Sequence, residues 1–171
     1  LGYMRCAGEI LDQLKKQKKS VSAIVVASGS AATHVGLLLG LRLLRSKIPV
    51  HGICVRRDKK QQVSRVKGIV RLAENLIGCG EVVQEDDIKC HDEWLQPGYG
   101  RTNEFVYEAM TLAGNLEAMV VDPVYTAKSF AGAIGLYRQG LFDKSQNILY
   151  LHTGGTPAIF AYEREITETL N

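Results

Sequence analysis

Apolar positions along the chain switch repeatedly between a period of three to four and short unbroken runs. Tyr3, Cys6, Ile10 and Leu14, together with Leu11, recur at helical spacing over Gly2–Lys19, and Lys15, Lys16, Lys18 and Lys19 crowd the end of that segment. Ser20–Ser22 breaks the pattern. Ala23–Ala27 (AIVVA) is continuous and β-branched, which predicts a strand buried on both faces. After the small residues Ser28–Ala32, Thr33–Ser46 reads as a helix that is apolar on most sides and therefore buried. Pro49–Val55 predicts a second strand, and Asp58 opens a long helix to Ile77, closed by Gly78 and Gly80.

The second half is less even. Glu81–Val83 allows a short strand, and Gln84–Gly100 has no clear period. Thr102–Ala113 predicts a helix capped by Thr102 or Asn103. A strand at Glu117–Val121, a helix at Thr126–Arg138 and a strand at Asn147–Leu151 follow. After the Gly154–Gly155 turn, Thr156 is placed as an N-cap and Pro157 as the first helical residue. Strands alternate with helices throughout, so the expected fold is an α/β domain over residues 1–171, a parallel sheet with helices on both faces. Ligands of such sheets bind beyond the carboxyl ends of the strands.

Composition narrows the function classes. A net charge of +3 in 171 residues, with no basic stripe interleaved with aromatics, argues against a nucleic-acid partner. No apolar run is long enough to span a bilayer as a helix. The four cysteines are scattered, with no C-x-x-C and no zinc spacing, which suits reduced thiols and a cytoplasmic protein.

Four loops could carry chemistry. In Ser28-Gly29-Ser30-Ala31-Ala32-Thr33, small residues let the backbone curl at a helix N-terminus, and three hydroxyls stand by; this suits a phosphate dianion. The same turn also reads as a plain strand-to-helix connection. It lacks the lysine of a nucleoside-triphosphate loop and the spacing of a dinucleotide loop. Gln96-Pro97-Gly98-Tyr99-Gly100 presents a tyrosine between glycines. Asp122-Pro123-Val124-Tyr125-Thr126 puts a second tyrosine at a strand's carboxyl end, with Thr126 as a candidate cap. His152-Thr153-Gly154-Gly155 allows backbone to approach a ligand closely. Lys128 reads as a solvated first-turn lysine, His152 as an edge histidine, and Arg56-Arg57-Asp58-Lys59-Lys60 as a solvated helix end.

Taken in order, the strings VVASGSAATHVGLLLGL, QPGYGRTNE, DPVYTAKSFAG and ILYLHTGGTPAIFAY resemble the family that contains D-cysteine desulfhydrase and 1-aminocyclopropane-1-carboxylate deaminase. The likeness runs from Leu1 to about Tyr162. It implies the large-domain part of a tryptophan-synthase-β-like fold and a pyridoxal 5′-phosphate cofactor. The family's phosphate cup maps onto Ser28, Gly29, Ser30, Ala31, Ala32 and Thr33, with Ala32 where relatives commonly carry glycine. Its active-site tyrosines map onto Tyr99 and Tyr125. Thr126 and Thr153, beside Gly154, stand near the pyridine ring, as in desulfhydrase-like members; deaminase-like members carry glutamate after the second tyrosine. A hydroxyl holds a pyridinium proton less well than a carboxylate, which suits elimination of a good leaving group. The family's Schiff-base lysine and its Ser-Asn stretch have no match in this chain. The start at Leu1 agrees, and the expectation is a C-terminal half, inactive alone, of a D-cysteine desulfhydrase that forms a homodimer when complete. The alternatives are a deaminase-like activity and a non-catalytic phosphate-ligand domain.

Overall fold

The computed structural model describes residues 1–170. Four strands, β1 (Ala23–Ser28), β2 (Val50–Cys54), β3 (Lys89–His91) and β4 (Ile148–Tyr150), form one parallel sheet in the order β3-β2-β1-β4. Ile24 pairs with Val50, Gly52 with Cys90 and Ile24 with Leu149, so β1 and β2 lie in the middle. The continuous apolar run at Ala23–Ala27 follows from this placement, because helices cover both faces.

The side chains of β1 alternate between two cores, as the pleat requires. Ile24 and Val26 join α1 (Gly2–Lys16), α2 (Ala32–Leu43) and α3 (Lys59–Ile77) on one face. Ala23 and Val25 join α5 (Thr126–Arg138) and α4 (Glu104–Glu117) on the other. Helix α5 comes close to the sheet at Gly132, where a Cβ would sit 2.6 Å from the Ile53 side chain. Asp58 caps α3 through Gln61 N, and Gly78, at φ 67°, ends it; Asn103, not Thr102, caps α4 through Val106 N. After the glycine turn a 3-10 segment (Thr156–Tyr162) leads into α6 (Glu163–Leu170), with Gly155 in the cap position that the sequence assigned to Thr156.

Two strand expectations fail for identifiable reasons. Val82 and Val83 do not extend the sheet, because the Glu74 carboxylate, buried at the end of α3, takes both of their N–H groups at 2.9 Å. The edge strand forms instead at Lys89–His91, in the stretch with no period. At Glu117–Val121, α4 continues through Glu117 and stops on Ala118 at φ 50°. Met119–Val121 then runs beside the sheet without a ladder; the carbonyl of Val120 meets the His152 imidazole at 2.9 Å. No helix among the described residues is long and apolar enough to cross a membrane, and the four cysteines are free thiols.

Candidate functional site

The three loops at the carboxyl ends of β1 and β4 and before α5 converge. A cleft of about 270 Å³ is lined by Gly29, Ser30, Thr33, Tyr125, Thr153, Gly154 and Gly155, with Ala27 and Tyr3. A larger cleft of about 560 Å³ lies between Pro49, His51, His91 and Phe142. Ser22, Pro49 and Gln146 on its wall precede β1, β2 and β4, so it opens at the amino ends of the strands, away from every motif residue. Topology favours the smaller cleft as the ligand site.

Its floor is the turn from β1 into α2. The carbonyl of Gly29 accepts from Arg57 at 3.0 Å, and that of Ser30 accepts from Arg65 at 2.9 Å. A peptide unit carries its N–H opposite its carbonyl, so these two arginines leave the N–H groups of Ser30 and Ala31 pointing away from α3. Among the described residues, the N–H groups of Ser30, Ala31 and Thr33 have no acceptor, and that of Ala32 reaches only the Ser30 hydroxyl at 3.4 Å. Ala31 holds the left-handed conformation, φ 75°, that folds the turn inward. Unsatisfied donors at the N-terminus of a 12-residue helix make a seat for a dianion. Gly29 keeps the wall open, since a Cβ there would sit 3.1 Å from Val55 and 4.0 Å from the Tyr125 ring. The methyl of Ala32 is exposed and leaves its N–H in place.

Ser28 does not face the cleft. It is fully buried, its hydroxyl accepting from Gln62 at 2.9 Å and bonded to His34 Nδ1 at 3.1 Å, so it braces the turn from beneath. Thr126 is also fully buried. Its hydroxyl donates to the Asp122 carboxylate at 2.6 Å, and the Asp122 N–H donates to it at 2.7 Å. The same carboxylate accepts from the N–H groups of Val124, Tyr125 and Thr126 at 2.9, 2.8 and 2.9 Å. Asp122 therefore caps α5, a duty the sequence reading gave to Thr126. Thr153 lines the cleft with a hydroxyl that has no partner among the described residues. Gly154 and Gly155 take φ 94° and 91°, and a Cβ on Gly155 would come within 2.8 Å of Asp122 Oδ2, so the turn is closed to other residues.

Tyr125 stands exposed on the rim, and its hydroxyl is hydrogen-bonded to that of Tyr99. The rings meet edge-on, 6.0 Å apart at an interplanar angle of 64°, and Arg56 lies 5.5 Å above the Tyr99 ring. The bond to Tyr99, with burial, pushes the Tyr125 phenol up to about 12, so it keeps its proton at neutral pH. Arg57 and Arg65, which shape the turn, were missed in the sequence because basic residues near a helix start read as solvated. The spacing of Arg57, Gln62 and Arg65 beside a small-residue loop was the available signal.

The model of the family described as "Pyridoxal-phosphate dependent enzyme" matches residues 1–154. D-cysteine desulfhydrase of Salmonella typhi is 39% identical over 166 residues, 97% of this chain and 49% of that protein. The protein of the same name from Serratia proteamaculans (strain 568) is 37% identical over the same coverage. A crystal structure of an ACC deaminase homologue superposes with a TM-score of 0.85 at 32% identity, over 98% of this chain and 49% of the other. The chain thus spans about half the length of the relatives it matches.

Proposed function

The chain belongs to the pyridoxal-phosphate-dependent enzyme family, and we propose on that premise that it is the cofactor-phosphate half of a lyase acting on D-cysteine. The complete reaction would convert D-cysteine and water to pyruvate, hydrogen sulfide and ammonia. The observation that carries the reading is the turn at Ser30, Ala31 and Thr33, whose N–H groups lack acceptors while Arg57 and Arg65 hold the neighbouring carbonyls away.

The residues present fit the cofactor. Ser30, Ala31, Ala32 and Thr33 would hold the phosphate ester, with Gly29 giving room and Ser28 supporting the turn through His34 and Gln62. Thr153 and Gly154 would border the ring edge, with Thr126 holding its place behind them through Asp122. Bound pyridoxal phosphate would supply the electron sink that makes the substrate's α-proton removable. Tyr125 would carry a proton at the rim, and Tyr99 would hold that phenol in its protonated form. Thr153, the hydroxyl on the cleft wall where a carboxylate would favour a stronger electron sink, supports sulfide elimination over deamination of a cyclopropane.

A second half of similar length would supply the Schiff-base lysine. Lys128 does not take that role, because all three of its donors are spent on backbone carbonyls. We place the enzyme in the cytoplasm, as its four free thiols suit. We also expect a homodimer, for which the exposed Leu72 and Leu76 on α3 offer apolar surface.

The test is sulfide and pyruvate release by this chain joined to the lysine-bearing half, with D-cysteine, L-cysteine and 1-aminocyclopropane-1-carboxylate offered in parallel. Turnover of D-cysteine at least ~10-fold above the others, a gap of about 1.4 kcal/mol in transition-state free energy, is expected. Preference for the cyclopropane would move the protein to the deaminase reading. No turnover, with phosphate ligands still bound, would leave the non-catalytic reading.

A further inference from the structure

Among the described residues, Lys128 is the largest fully buried side chain, and it sits in the first turn of α5. Its ammonium donates to the carbonyls of Leu95, Gly98 and Arg101 at 3.1, 2.9 and 3.0 Å. No carboxylate pairs with it among the described residues. A buried cation without a counterion is costly, and a fold keeps one only where its three donors are fully matched. Burial alone pulls this amine down to about 8.

The three carbonyls belong to one loop, which carries the exposed Tyr99. Other side chains hold what Lys128 does not. Asn103 donates to Trp94 O and Gln96 O, and the Tyr162 hydroxyl donates to Gly100 O at 2.7 Å. Within the loop, Gly98 N bonds Leu95 O at 3.0 Å and Arg101 N bonds Gly98 O at 3.3 Å. The lysine therefore gathers both ends and the middle of a segment that has little regular secondary structure of its own. Because Lys128 lies on the same helix that Tyr125 enters, one rigid element fixes both phenols.

We propose that Lys128 is a positioning residue: its ammonium closes the Leu95–Arg101 loop and so presents the Tyr99 hydroxyl to that of Tyr125. The inference rests on the proposed function for its purpose, since it concerns the phenol pair at the mouth of the cleft, but its test does not depend on turnover. Lys128→Met keeps the stem and removes the charge and all three donors.

The experiment follows Tyr125 by carbon NMR of ring-labelled tyrosine across pH in the 171-residue chain, in Lys128→Met, in Tyr99→Phe and in the double variant. In the parent the Tyr125 phenol is expected to titrate above ordinary tyrosines, because Tyr99 bonds it. In Lys128→Met it is expected to titrate near ~10, as in Tyr99→Phe. The double variant should match Tyr99→Phe, because the two changes remove one and the same contact. Amide exchange at Gly98 and Arg101 should quicken roughly tenfold or more. Lys128→Gln, which keeps two donors, should fall between parent and Tyr99→Phe, and it serves as the reading if the methionine variant does not fold. Parent-like Tyr125 titration in a folded Lys128→Met or Lys128→Gln chain overturns the proposal. If the complete enzyme fails to act on D-cysteine while these titrations move together, the function reading falls and the positioning role stands.

Discussion

Replacing Tyr125 by phenylalanine in the complete enzyme is expected to lower kcat on D-cysteine by roughly 10²-fold with pyridoxal phosphate still bound. The phenol is on the rim of the cleft, over Gly29, and its ring is not part of the turn that would grip the phosphate. Removing the hydroxyl should therefore leave cofactor content, read from visible absorbance, near the parent level. The pH dependence has a definite sign. A phenol held up at about 12 is protonated across the working range, and its capacity to donate is lost only as pH climbs towards that value. In Tyr99→Phe the main cause of the raised value is gone, and the alkaline limb of the rate profile should move down towards ~10. Unchanged kcat in Tyr125→Phe would remove this residue from proton transfer.

Asp122→Ala should cost the fold about 3–4 kcal/mol, read as a lower urea midpoint at unchanged slope. The Asp122 carboxylate is fully buried and accepts four hydrogen bonds, from the N–H groups of Val124, Tyr125 and Thr126 and from the Thr126 hydroxyl. Alanine leaves those donors without partners at the start of α5. It also opens a gap beside Gly155, where a Cβ would stand 2.8 Å from the same carboxylate. The site should suffer with the fold, because the α5 entry sets where Tyr125 stands. Asp122→Asn keeps the shape and one acceptor oxygen, and should lose about half as much. A loss under about 1 kcal/mol for the alanine variant would show that water replaces the carboxylate freely.

The parts of this structure that were legible in the sequence are those set by local pattern. The run Ala23–Ala27 had to be a covered strand, Asp58 and Gly78 bracket α3, and Thr126–Arg138 matches α5 at both ends. The loop motifs around Ser30, Tyr125 and Thr153 gather at the carboxyl edge of the sheet, with Tyr99 beside them. What could not be read depends on partners distant in sequence. Val82 and Val83 have strand character, but a carboxylate from α3 takes their N–H groups first. β3 is short and mixed in polarity, and only pairing with buried β2 makes it a strand. Lys128 looked like any lysine early in a helix, because no local signal marks a side chain that turns inward to carbonyls some thirty residues earlier in the chain. Ser28 and Thr126 were read as ligand donors, and the structure spends both hydroxyls internally. In each case residue type is a local property, whereas side-chain direction is decided by packing.

Amide resonances of the 171-residue chain, followed as pyridoxal phosphate and separately inorganic phosphate are added, test the central claim most directly. The account predicts saturable shifts at Ser30, Ala31, Ala32 and Thr33 with both ligands, extending to Thr153 and Gly154 with pyridoxal phosphate, and none around His51 and His91. Shifts confined to the Pro49–Phe142 cleft, or an unmoved Ser30–Thr33 turn at millimolar ligand, would contradict it.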